Sequence, residues 1–175
     1  SKSPVVILIA GASHAGKTVL AQKLVEKYGY SCLSLDLLKM GLIRSGQTCL
    51  TPEDDDKLTA YLWPIAAEMI KTAIENGQHL IVEGCYIPFN WQESFTIEYL
   101  PHIRFCCLVL SEGFIRENFS AMQAHANDVE QRLEDGGFSI ETAIQENAAW
   151  QAGCKACGLP YTFIEGAYHL PLELF

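Results

Sequence analysis

With 175 residues, 49% hydrophobic and 19% charged, the chain has the size and composition of a single globular domain, spanning 1–175, rather than a disordered or fibrous one. Twenty-one acidic against 12 basic residues give a net charge of −9, a field that repels nucleic acid and anionic membranes. No signal peptide or apolar run of membrane length is visible, and the odd count of seven cysteines, mostly in or beside apolar runs, suits free thiols in a reducing cytoplasm.

The first element is an apolar, β-branched strand, Val5 to Ala10, and the loop at its carboxyl end organises the rest of the chain. Gly11-Ala12-Ser13-His14-Ala15-Gly16-Lys17-Thr18 has the spacing G-x-x-x-x-G-K-[ST], and a helical pattern runs on from it to about Tyr28. The spacing has a chemical reason. Gly11 and Gly16 allow backbone angles that a side chain forbids, so the N–H groups from Ala12 to Thr18 can turn inward around a phosphate. The positive end of the following helix points the same way. Lys17 then reaches the β- and γ-phosphates, and the Thr18 hydroxyl can ligate Mg²⁺. His14, inside the loop, is expected to face solvent or pack locally, because the backbone does the binding.

Gly29 should stop the first helix, and Ser31 to Leu35 reads as a second strand that delivers Asp36 at its carboxyl end. A short helix is expected over Leu37 to Arg44. Thr51, as N-cap, opens a long one ending at Asn76-Gly77, with Pro64 a source of a kink. The acidic run Glu53 to Asp56 reads as a solvated helix start, since consecutive positions splay around a helix. His79 to Gly84 is a third strand carrying Glu83 at its end, Trp91 to Tyr99 a short helix, and Ile103 to Leu110 a fourth strand. Ser111-Glu112 caps a helix that turns polar toward Arg132, and Asp135-Gly136-Gly137 breaks it; a lid is expected within 116–137. A helix from Ser139 to Cys157 and a strand from Tyr161 to Ile164 come next, while the apolar tail from Gly166 has no clear period. Cys154 and Cys157 form a C-x-x-C without the second pair a zinc site needs, and read as buried or idle thiols.

Apolar strands alternating with helices predict a parallel sheet covered on both faces, with the carboxyl ends of all strands on one ligand-binding edge. Gly11, Asp36, Glu83 and Ser111 each follow a strand and therefore share that edge. Phosphoryl transfer needs positioning, charge neutralisation, a Mg²⁺ holder and a group that orients the attacking hydroxyl. Asp36 can orient or deprotonate the hydroxyl, its bland alternative being a helix N-cap. Glu83 can hold Mg²⁺ through water or act as the base. Arg44, Arg116 and Arg132 are candidate oxyanion clamps: Arg44 for the acceptor, Arg116 and Arg132 for the nucleotide. Tyr61, Trp63, Tyr86, Phe89 and Trp91 suit a pocket for a flat group, or simply the core.

Over nearly its whole length, Val5 to about Gly166, the chain resembles P-loop small-molecule kinases of the adenylate-kinase-like group, which includes the zeta-toxin-type, 2-phosphoglycerate, shikimate and gluconate kinases. The strongest stretches are Gly11 to Thr18, Leu33 to Arg44 and Leu80 to Gly84. The resemblance implies a three-layer α/β P-loop NTPase fold with a five-stranded parallel sheet of order 2-3-1-4-5. It also implies contact of Asp36 with the acceptor hydroxyl and of the residues up to Arg44 with the acceptor. The expectation is an ATP- and Mg²⁺-dependent kinase of a small cytoplasmic metabolite, with neither nucleic acid nor membrane as partner. The alternatives are a nucleotide-dependent regulator or slow NTPase, and a nucleoside or nucleotide kinase. Acceptor identity and oligomeric state are not legible.

Overall fold

The computed structural model describes residues 3–129 and 138–172. Five parallel strands form one sheet in the order β2-β3-β1-β4-β5, the order the resemblance implies. They are β1 (Val6–Gly11), β2 (Ser31–Ser34), β3 (Leu80–Glu83), β4 (Ile103–Leu110) and β5 (Thr162–Ile164). The crossovers carry α1 (Lys17–Tyr28), α2 (Leu35–Arg44), α3 (Asp55–Glu75), α4 (Glu112–Val129) and α5 (Ile140–Cys157). β1 is fully buried because it runs between β3 and β4, with Ile9 beside Glu83 and Cys106.

Period-two alternation along β1 divides the interior into two layers. Val6, Leu8 and Ala10 face one layer, with Leu58, Leu62, Ala66 and Ile70 of α3 and Trp91 of the loop after β3. Ile7 and Ile9 face the other, with Leu20 and Leu24 of α1 and Phe114 and Ile115 of α4. Each fully buried Leu or Ile contributes about 1.5–3 kcal/mol relative to exposure.

Several boundaries differ from the sequence reading, each for a local reason. α2 begins at Leu35 because the Ser34 hydroxyl caps it, accepting from the Leu37 N–H at 3.3 Å; Asp36 lies in the first helical turn instead of capping it. α3 begins at Asp55, not after Thr51. The Asp54 carboxylate accepts from both the N–H and the hydroxyl of Thr51, at 2.8 and 3.1 Å, which folds the chain into a turn before the helix. α3 continues across Pro64, which sits on its exposed side. In place of a helix over Trp91 to Tyr99 there are two 3₁₀ turns, Trp91–Ser94 and Leu100–His102. Cys32 is exposed, not packed, because β2 is an edge strand. The expected break at 135–137 and most of the C-terminal half of the expected lid lie outside the described residues. The tail, which had no period, folds back on α1: Lys27 Nζ donates to the Leu172 carbonyl at 3.0 Å.

Candidate nucleotide and acceptor site

The loop between β1 and α1 has the backbone a phosphate cradle needs. Gly11 (φ 140°), His14 (φ 64°) and Gly16 (φ 99°) all have positive φ. Gly11 is obligatory for a second reason: a Cβ there would lie 2.7 Å from the Leu108 carbonyl of β4. No side chain caps the N-terminus of α1, so its first N–H groups remain available to an anion. Lys17 is buried and folds back over the loop, its ammonium donating to the Ala12 carbonyl.

Glu83 ends β3 between Ile9 of β1 and Ser34 of β2, which puts its carboxylate at the centre of the sheet edge. It is 3% exposed, and the Thr18 hydroxyl donates to its Oε1 at 3.5 Å. Burial raises its pKa above the ordinary carboxylate value; Asp36 adds to the rise, while the Lys17 ammonium opposes it. A hydroxyl and a buried carboxylate facing each other beside the phosphate loop are hard oxygen donors of the kind that suits Mg²⁺, which keeps most of its waters.

Beyond Glu83 a second group of polar side chains gathers. Asp36 pairs with Lys39 at 3.3 Å, one turn along α2. Lys39 is buried (4% exposed) and donates to the Tyr86 hydroxyl at 3.1 Å; Tyr86 in turn reaches Asp55 Oδ1 at 3.5 Å. Burial pushes the Tyr86 phenol far up, and raises the Cys85 thiol beside it. From the opposite side α5 brings Glu146, next to Asn147, whose Oδ1 accepts the Leu110 N–H at 2.9 Å. Partial burial and then the Asp55 charge raise the Glu146 pKa, against the pull of Lys17.

Lys39 and Glu146 were not singled out in the sequence, whereas Asp55, read there as part of a solvated helix start, is exposed at the start of α3. A lysine one turn after an acid on a helix has the look of a solvated pair, and nothing local says that Tyr86 will cover it. The structure gathers Lys17, Thr18, Asp36 and Glu83 on the expected edge. Arg44 and Arg116 are not among them. Arg44 is exposed at the far end of α2, and Arg116 pairs with Glu112 on its own helix at 2.8 Å. Arg132 lies outside the described residues. His14 packs locally, its ring 4.2 Å from that of Phe138. Trp63 and Trp91 are core, as is the ring of Tyr86; Phe89 packs on Trp150. Tyr168 of the tail closes the loop from outside: a Cβ on Gly16 would fall 1.8 Å from its hydroxyl. Cys154 is buried and Cys157 exposed, and no group of three metal-ligating side chains occurs among the described residues. No described helix is long and apolar enough to cross a membrane.

The model of a family described as an AAA domain matches residues 6–95, which hold the loop, Asp36, Lys39 and Glu83. No curated protein matches the sequence. Among solved structures, the chain is similar to a kinase candidate from Chloroflexus aurantiacus, with 21% identity, coverage of 71% of this chain and 69% of that one, and a TM-score of 0.53. It is similar to a deoxyadenosine kinase from M. mycoides, with 14% identity, 92% and 90% coverage, and a TM-score of 0.55. A third likeness is to a structure of the Pnkp1/Rnl/Hen1 RNA repair complex, with 13% identity and a TM-score of 0.55, over 87% of this chain but 46% of that one. These likenesses establish the three-layer fold of P-loop kinases, as the sequence resemblance implied.

Proposed function

This chain belongs to the AAA domain family, and from that membership, its fold and its site we propose that it is an ATP- and Mg²⁺-dependent phosphotransferase acting on a hydroxyl of a small molecule. The observation that carries the reading is the convergence of four side chains. Lys17 and Thr18 of the loop, the buried carboxylate of Glu83 and the carboxylate of Asp36 come from three different elements, and Glu83 feels the charge of both Lys17 and Asp36.

In this reading the loop amides and Lys17 hold the β- and γ-phosphates, and Thr18, with Glu83 through water, would hold Mg²⁺. When bound, Mg²⁺ supplies neutralisation of the phosphate charge. The acceptor oxygen attacks the γ-phosphorus, the bond from that phosphorus to the β-bridging oxygen breaks, and ADP leaves with the electron pair. The hydroxyl proton passes to Asp36. On the nucleotide side Arg116 and Arg132 are proposed to close over the phosphates, and Arg44 to bind the acceptor, once both substrates are present. The base end of the nucleotide is proposed to extend toward Tyr168 and Phe114, whose rings lie 5.8 Å apart beside the loop.

The test is an ADP-release screen across sugars, nucleosides, hydroxy acids and phosphorylated metabolites. Against the acceptor so identified, Lys17→Ala should lower kcat/KM by at least about a hundredfold, the scale of losing a preorganised transition-state charge. Near wild-type turnover by that variant excludes the proposal.

A further inference from the structure

Two cations are buried among the described residues, Lys17 and Lys39. The first belongs to the phosphate loop. The second lies on α2, outside that loop.

Lys39 is held by two residues through three contacts. Asp36 lies 3.3 Å from its Nζ, the Tyr86 hydroxyl 3.1 Å, and the Tyr86 ring centroid 5.3 Å. Tyr86, having accepted from the ammonium, uses its own proton toward Asp55 at 3.5 Å. An ammonium out of water is tolerated only when it is paired, and here Asp36 and the Tyr86 hydroxyl pair it within the protein. If Lys39 turned to clamp an anionic acceptor it would abandon Asp36, leaving that carboxylate uncompensated beside Glu83 and facing another negative charge. Among the described residues, the other groups around the site do not offer a replacement. Asp55 and Glu146 are acids close enough to influence each other, and Arg44 is exposed eight residues from Asp36, about 12 Å along the helix.

We propose that Lys39 is a positioning residue, fixing the Asp36 carboxylate toward the acceptor, and that the acceptor is therefore an alcohol bearing no phosphate or carboxylate. The inference rests on the phosphotransferase reading of the same site and adds the charge class of its substrate. A neutral or amine-bearing alcohol meets Asp36, Asp55 and Glu146 without repulsion, whereas an anionic one meets three carboxylates and a lysine that is already neutralised.

The experiment separates the two levels. ATP·Mg²⁺ titration comes first: absence of binding overturns the phosphotransferase reading and this inference with it. With nucleotide bound, transfer from γ-labelled ATP is measured on matched alcohols: glucose, glucosamine, gluconate and glucose 6-phosphate, then adenosine and its 5′-monophosphate. The uncharged and amine-bearing members should exceed their anionic partners by at least about tenfold in kcat/KM, the effect of one like-charge contact. Preference for the anionic members, equal rates, or transfer to none of them overturns the inference while leaving nucleotide binding intact. On the best acceptor, Lys39→Met should lower kcat at least about tenfold with KM within about threefold, and Lys39→Arg should restore part of the loss. A raised KM with intact kcat would make Lys39 an acceptor clamp and overturn the positioning role. Tyr86→Phe keeps the ring and removes only the hydroxyl link, so it covers the case in which Lys39→Met does not fold. A folded Tyr86→Phe protein with wild-type kcat also overturns it.

Discussion

Glu83 is nearly out of solvent, 3.5 Å from the Thr18 hydroxyl, and burial lifts its pKa above the ordinary 4.5 although Lys17 pulls the other way. The folded state therefore holds this proton more tightly than the unfolded chain does. On that account stability is greatest below pH 4.5 and is lost as pH rises through the raised pKa, so at neutral pH the ionised carboxylate costs stability in the nucleotide-free protein. Glu83→Gln should remove this slope and raise the nucleotide-free Tm at pH 7 by about 2–4 °C, the shift that a gain of roughly 1 kcal/mol gives in a chain of this size. The same variant should respond less than wild type to Mg²⁺ added with ATP, because the carboxylate that favours the cation is gone. Calorimetry at pH 5 and pH 8, with and without Mg²⁺·ATP, checks both; a variant Tm at or below wild type at pH 7 refutes the first. Residues of this kind were legible in sequence to the extent that a motif or a strand end marked them. Lys17 and Thr18 came from the loop spacing, and Glu83 and Asp36 from carboxylates following apolar strands. Lys39 was not, since its burial depends on Tyr86, forty-seven residues away.

Asn147 shows how one buried amide can join two elements. It is 1% exposed; its Oδ1 accepts the Leu110 N–H at the end of β4, and its Nδ2 donates to the Ala143 carbonyl within α5 at 2.9 Å. β1 pairs with β4 only as far as Leu108, so the Leu110 N–H beyond that ladder depends on this helix. Asn147→Ala leaves a buried N–H without a partner and should destabilise by about 2 kcal/mol. Urea unfolding with an unchanged m-value and a lower midpoint is the expected record; a midpoint equal to wild type would mean that water reaches the orphaned N–H. Because α5 also carries Glu146, the variant should disturb the acceptor side of the site more than nucleotide binding. Element existence was legible from periodicity, whereas element starts were not. Ser34 rather than Asp36 caps α2, and Asp54 rather than Thr51 stands before α3, because short polar side chains compete for the same few backbone N–H groups.

At the scale of the molecule, two apolar layers sandwich a sheet whose carboxyl edge collects the acids Asp36, Glu83, Asp55 and Glu146. A net charge of −9 with that acidic edge should exclude a polynucleotide despite the fold's likeness to a chain of an RNA repair complex. A fluorescent 5′-hydroxyl oligonucleotide should bind more weakly than about 10⁻⁴ M at 150 mM salt by anisotropy, near the non-specific limit. Micromolar binding with a steep salt dependence would reverse the expectation.

Sequence alone determined the phosphate loop, the alternation of strands and helices and, through the resemblance, the strand order, because these follow from local periodicity, glycine placement and handed crossovers. It also placed two carboxylates on one edge, since a parallel sheet sends every strand's end the same way. Tertiary structure alone decided which charges stand free and which are neutralised. Lys39 meets Tyr86, Glu146 meets Asp55 and Tyr168 meets Gly16 only when segments distant in the chain pack together, and the electrostatics of a site are set by burial and by such neighbours.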